Sequence, residues 1–329
     1  MLYPLKMKPF FKTCIWGGNA LQTKYHKEIV SDHTGESWEI AAHPNGSSTV
    51  DQGIYAGLKL GEVVRLLGRR LTGSYVNSVY HDTFPLLVKF LDCNDKLSVQ
   101  VHPDDAYAQK HENGGLGKTE MWYILDAKPG ARLVYGFKQD MTRERFRQAI
   151  KQGTLDTILN YVDVKAGDCF FIKSGTVHAL LEGLLVAEIQ QNSDTTYRVF
   201  DYNRCDAAGM QRQLHIEPSI AVATLSSSRG SEHVCPVRID AGDNLCERLA
   251  SCRYFETERW QVSYSAQFET DEQSFVMLLF YEGSGTIRFS GGCVGFSAGD
   301  SFVVPAYLGA YQIAGKCGFL KSWVPEENR

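Results

Sequence analysis

The stretch "KLSVQVHPDD", residues 96–105, decides the reading of this chain. Leu97, Val99 and Val101 alternate with Ser98, Gln100 and His102, the period-2 signature of a strand. Pro103 then breaks the strand into an acidic turn, Asp104-Asp105. Strict alternation places Gln100 and His102 on one face, opposite the valines. A strand with one apolar side and an amide and an imidazole on the other either meets solvent there or builds a site.

Working outward, much of the chain has the same character. "ARLVYGF" (131–137), "CFFIKSG" (169–175), "LLVAEIQ" (184–190), "QSFVMLLFYEG" (273–283), "GTIRFS" (285–290) and "SFVVPA" (301–306) read as short strands between Gly, Pro, Asn and Asp turns. That rhythm predicts a β-sandwich or barrel. Two segments differ: "LKLGEVVRLLGRRL" (58–71) and "TRERFRQAIKQGTLDTILNYV" (142–162) carry apolar residues at helical spacing. Thr142 is placed to cap the second, and Gly153 to divide it into two shorter helices. The fold class is therefore mostly β with a helical insertion, not alternating βαβ. Residues 204–235 lose the strand rhythm, although "EPSIAVATL" within them suits a helix. A soft boundary there gives two domains, 1–225 and 226–329.

A weak internal repeat supports two related units. "VKAGDCFFIKSGTVHAL" (164–180) aligns with "FSAGDSFVVPAYLGAYQI" (296–313) through Ala-Gly-Asp, at an offset of 132 residues. His178 in the first copy then corresponds to Ala310 in the second. The expectation is two β-barrels of one ancestry, of which the C-terminal one lacks its histidine.

The totals narrow the function classes. With 329 residues, 43% hydrophobic content and a formal charge of -4, the chain suits a soluble protein with a substantial core. No Lys/Arg-rich run suggests nucleic acid, and no apolar run approaches membrane-spanning length. The N-terminal residues contain no continuous apolar segment of signal-peptide type. The nine cysteines are scattered without a CxxC pair, which predicts reduced thiols and a cytoplasmic protein.

Gln100 and His102, Glu120 in "GKTEMWYIL" and His178 in "GDCFFIKSGTVHAL" offer imidazole, carboxylate and amide ligands, a mixed N/O set that suits zinc or another divalent first-row ion. Their order and spacing resemble the two cupin motifs, with Gln100 in place of a leading histidine and Lys173 in place of a proline. "SVQVHPDD", "GKTEMWYIL" and "KSGTVHALLEG" together look like the type I mannose-6-phosphate isomerases in their short bacterial form. "FFKTCIWGG" (10–18), "TGESWEIAAHPNGSS" (34–48), "FPLLVKFLD" (84–92) and "QQNSDTTYRVFDYNR" (190–204) extend the likeness over residues 4–204.

The resemblance implies two cupin-type jelly rolls, one Zn2+ per chain held by Gln100, His102, Glu120 and His178, and conversion of mannose 6-phosphate to fructose 6-phosphate through an enediol(ate). It implies that Arg198 is catalytic. Lys118, two residues from Glu120, is a candidate catalytic residue acting on substrate oxygens or phosphate, and Trp16 a candidate wall against the sugar. Glu39 or Asp194 is a candidate proton-transferring base. The substrate is a sugar phosphate, and a monomer or weak homodimer is expected. A non-catalytic sugar-binding bicupin and a metal-dependent cupin oxygenase are the alternatives; Lys118 and Arg198 speak against the first, the glutamine ligand against the second.

Overall fold

The structure, a computed structural model, describes residues 2–205, 208–230 and 232–326. The strand Leu184–Gln191 shows how its layers arise. All of its residues are buried because both faces are covered. Leu185, Ala187 and Ile189 enter one hydrophobic core, whereas Leu184 and Val186 enter another, as the two-residue period requires. This strand pairs antiparallel with Leu86–Cys93 and Glu120–Ala127. Cys169–Ile172, Thr34–Ile40 and Phe10–Gly18 complete a six-stranded sheet with Phe10–Gly18 at its edge. A five-stranded sheet of Leu159–Asp163, Arg132–Phe137, His178–Leu180, Val99–Val101 and Tyr197–Phe200 faces it. Together they make the sandwich of a jelly roll.

Val99 and Val101 pack outward, into a cluster with Phe146 and Ala149 of the helix Arg143–Gln152 and Ile220 of the helix Ile216–Val222. The helical insertion therefore covers the back of the five-stranded sheet. This leaves the polar face of residues 98–102 directed at the opposing sheet.

The C-terminal residues build an eleven-stranded sheet that also takes in Leu5–Lys8 and Thr49–Val50 from the N-terminal part. Its long strand Val276–Phe289 repeats the two-sided pattern. Met277 and Leu279 join the core shared with the outer face of the six-stranded sheet, while Val276, Leu278 and Phe280 line a separate core. Phe84 and Phe275 meet across the shared core with ring centroids 4.3 Å apart, and both are fully buried. Phe275→Leu should lower unfolding stability by about 1–2 kcal/mol through the lost ring contact, read as a shifted denaturation midpoint with unchanged slope.

Three sequence expectations change. In 58–71 the helix is broken into Leu60–Leu67 and Arg69–Thr72, because Gly68 takes a φ of +51°. In 142–162 Thr142 does cap the helix, accepting from Arg145 N at 3.1 Å, and Gly153 ends it in the left-handed region. Beyond Gly153 the chain makes a 3-10 turn and then the strand Leu159–Asp163, not a second helix; pairing with Arg132–Phe137 wins over helical spacing. The 273–283 and 285–290 segments are one strand that continues through Gly283 and Gly285. Three helices, Ala20–Tyr25, Ser74–Tyr80 and Asp105–His111, went unpredicted. The repeat is visible as matching strand pairs, Cys169–Ile172 with His178–Leu180 and Ser301–Val304 with Ala310–Ala314. All nine cysteines are free thiols. Among the described residues no helix is long and apolar enough to cross a membrane.

Candidate active site

Strand register brings the ligand candidates together. His178 lies opposite Gln100 and Arg198 opposite Gln100 on the five-stranded sheet, while Glu120 lies opposite Gln190 and Ile172 on the facing sheet. His102, Glu120 and His178 are all but completely buried, and their donor atoms lie within 4.8 Å of one another. His102 Nε2 is 3.6 Å from Glu120 Oε2, and His178 Nε2 is 3.4 Å from Glu120 Oε1. Gln100 Nε2 is 3.3 Å from His178 Nε2; a half-turn of the terminal amide exchanges its oxygen into that position.

The imidazoles are oriented for ligation. Each Nδ1 contacts a backbone carbonyl, His102 to Thr195 O at 2.9 Å and His178 to Thr176 O at 2.8 Å. A carbonyl only accepts, so each Nδ1 carries the proton and each Nε2 lone pair points at Glu120. Burial holds His102 well below the ordinary histidine pKa and His178 at about 4, which keeps both rings neutral. Burial also pushes Glu120 up to about 7, with the Lys118 ammonium 3.3 Å away opposing it. His102 Nε2 and both Glu120 oxygens have no hydrogen-bond partner. Orphaned buried polar atoms cost roughly 1–3 kcal/mol each, more when charged, so a cluster of them converging on one point fits a cation. The residues present fit a divalent metal.

Beside the cluster lies a cleft of about 370 Å³, which meets it through Gln100 and Lys118, next to His178 and Glu120 respectively. Trp16, Ser98, Gln100, Lys118, Asp194 and Arg198 line it. Arg198 donates from Nη1 to Gln213 O at 2.9 Å, while its buried Nε has no partner. Partial burial and the neighbouring Arg212 hold its pKa below the usual arginine value. Arg212 is fixed by a two-pronged contact to Asp201, with Nε to Oδ2 at 2.8 Å. Asp194 faces the cleft but pairs with Lys12 at 3.0 Å and accepts from Asn45 at 3.0 Å. Glu39, the other carboxylate considered from sequence, is not in the cleft. It is buried against Lys27 at 2.8 Å and Ser301 at 3.3 Å, where the N-terminal part meets the C-terminal sheet.

Sequence reasoning missed a buried ionic row beside the cluster. Lys89 sits between Glu188 at 3.1 Å and Glu36 at 3.5 Å, and Trp122 donates its indole N–H to Glu188 at 2.9 Å. The two carboxylates keep Lys89 charged against the cost of its burial. A signal was present: along 184–191 the inward positions run Leu184, Val186, Glu188, Gln190, switching from apolar to polar where the strand passes the site.

Comparison with known proteins agrees with this geometry. Residues 4–129 match the family model "Phosphomannose isomerase type I, catalytic domain", and residues 246–324 match "Mannose-6-phosphate isomerase, cupin domain". The mannose-6-phosphate isomerase ManA of Bacillus subtilis is 43% identical over 95% of this chain and 96% of its own. The chain belongs to the type I mannose-6-phosphate isomerases. The mannose-6-phosphate isomerase of Streptococcus mutans is 39% identical over 98% of both chains. A crystal structure of the mannose 6-phosphate isomerase from Bacillus subtilis superposes with a TM-score of 0.89 at 37% identity, covering 97% of this chain and 99% of that one. Phosphomannose isomerase of Salmonella typhimurium, at 16% identity and TM-score 0.81 over 98% of this chain and 100% of that one, shares the fold. This enzyme is accordingly a mannose-6-phosphate isomerase, and the binding-only and oxygenase alternatives fall away.

Proposed function

We propose that this isomerase interconverts D-mannose 6-phosphate and D-fructose 6-phosphate through an enediolate, with one Zn2+ held by Gln100, His102, Glu120 and His178. The observation that carries this reading is the convergence of two neutral, tautomer-fixed imidazoles and a buried carboxylate beside a cationic cleft. When bound, the ion supplies Lewis-acid chemistry toward the carbonyl and hydroxyl oxygens of the open-chain sugar. Two imidazoles, an amide and one carboxylate leave such a site net positive, which suits an anionic intermediate.

The chain's own residues supply the rest. Arg198, next to Gln100 across the ladder, brings a fixed positive charge with a spare donor to the point where negative charge develops. Lys118, beside Glu120, reaches the substrate oxygens from the opposite sheet. Lys12 and Arg212 stand at the cleft wall, each oriented by an aspartate, and offer the cations that the substrate phosphate requires. The buried face of Trp16 closes the side of the sugar and excludes water.

A coupled assay of mannose 6-phosphate conversion tests this reading. Dialysis against a chelator should remove the activity, and stoichiometric Zn2+ should restore it while raising Tm. Full turnover in metal-free protein would overturn it.

A further inference from the structure

The turn between the C-terminal strands Leu245–Ser251 and Glu256–Val262 reaches toward the active site, and its contact there is polar. Tyr254 Oη donates to Asp105 Oδ2 at 2.7 Å, and Arg253 Nη2 donates to the same oxygen at 3.1 Å. Asp105 is the last residue of the stretch 96–105 and the first of the helix Asp105–His111. Its other oxygen, Oδ1, accepts from Gly117 N at 2.8 Å and from Gln191 Nε2 at 2.8 Å. Gln191 in turn holds Thr119, accepting from Thr119 N at 2.9 Å through Oε1 and donating its own backbone N–H to Thr119 O at 3.1 Å. Lys118 N donates to Pro103 O at 3.0 Å between them.

Every backbone N–H from residue 117 to residue 119 is thus fastened, and Asp105 is the hub of the fastening. The segment so held carries Lys118 and leads into Glu120. Contact there is close: a Cβ on Gly117 would lie 2.6 Å from Asp104 C and Asp105 N, so only glycine lets the segment approach the helix. The donors hold Asp105 below the usual carboxylate range although partial burial works the other way, which keeps it a charged acceptor for all of them.

We infer that Tyr254 is a positioning residue for the isomerisation, acting from a turn of the C-terminal part through Asp105 and Gln191 to set Lys118. Of the two C-terminal partners, Tyr254 carries the effect. The Arg253 side chain is 59% exposed and its ion pair is screened by water, whereas the tyrosine hydroxyl makes a short charge-assisted hydrogen bond. This assigns the C-terminal part, which brings no ligand to the cluster, a role in the reaction. The inference rests on the role of Lys118 proposed above.

The test is a double-mutant cycle on the zinc-loaded, full-length enzyme with Tyr254→Phe and Lys118→Ala, reading kcat, KM, zinc content and Tm. Tyr254→Phe should lower kcat by about tenfold with zinc content unchanged, since a misplacement of the order of 1 Å is costly in rate. In the Lys118→Ala background the same change should alter kcat by less than about twofold, because the group through which it acts is gone. Asp105→Asn, which keeps the shape but weakens every bond to the hub, should follow Tyr254→Phe in direction. A Tyr254→Phe enzyme with wild-type kcat beside a crippled Lys118→Ala enzyme overturns this inference alone. So does a tenfold loss that persists undiminished in the Lys118→Ala background, which would mark a general structural effect. A fully active Lys118→Ala enzyme overturns the role of Lys118, and this inference with it.

Discussion

His102→Ala is expected to abolish both zinc retention and turnover while leaving the fold intact. The side chain is 1% exposed and enters the site with its Nδ1 bound to Thr195 O and its Nε2 free. Alanine removes one imidazole ligand and leaves Glu120 and His178 facing a void that no remaining side chain fills. Metal affinity should fall by several orders of magnitude, since even loss of an outer hydrogen-bond partner costs about 10–100-fold. Turnover should fall to background in the coupled assay at micromolar zinc. Circular dichroism should stay unchanged, and Tm in the presence of chelator should match the chelated wild type within the small cost of a polar cavity. Zinc retained at one equivalent with undiminished kcat would refute the ligand assignment.

Arg198→Ala should reduce kcat by about 10²–10³-fold with zinc content preserved, the loss expected when a fixed donor to a developing oxyanion is deleted. Its guanidinium is held by one bond to Gln213 O, and its buried Nε has no protein partner. A merely structural arginine would spend its donors within the protein; this one lines the cleft with a single side-chain hydrogen bond, to Gln213 O. Arg198→Lys should recover little, because an ammonium cannot present the planar pair of N–H donors. If kcat survives and only KM rises, Arg198 serves uniform binding of the phosphate instead of the reaction itself.

The cluster of His102, Glu120 and His178 could be anticipated from sequence because the motifs that carry it are local. Strand alternation forces Gln100 and His102 to one face, and likeness to the cupin motifs points to Glu120 and His178. The helices Leu60–Leu67 and Arg143–Gln152 were legible for the same reason, through periodicity and the Thr142 cap. The strand Leu159–Asp163 was misread because its apolar spacing also suits a helix, and only pairing with Arg132–Phe137 resolves it. Lys89, Glu188 and Glu36 were missed because a charged residue inside an apolar strand acquires meaning only from what faces it. Their cross-strand register joins residues separated by scores of positions in the chain.

By itself the sequence determined the class of fold and, through likeness to the cupin motifs, the residues His102, Glu120 and His178 that come together, since each depends on residue type and short-range spacing. Only the tertiary structure decided which carboxylates belong to the cleft, sending Glu39 to the join with the C-terminal sheet and bringing Asp194 and Glu188 to the site. It also decided what the two aspartates at the end of "KLSVQVHPDD" do. Asp104 caps the helix Asp105–His111, accepting from Tyr107 N at 2.8 Å, and Asp105 ties the Lys118 segment to Tyr254. Both outcomes depend on long-range packing of sheets, and burial makes each such contact specific: a polar group taken out of water must find the partner that tertiary structure supplies.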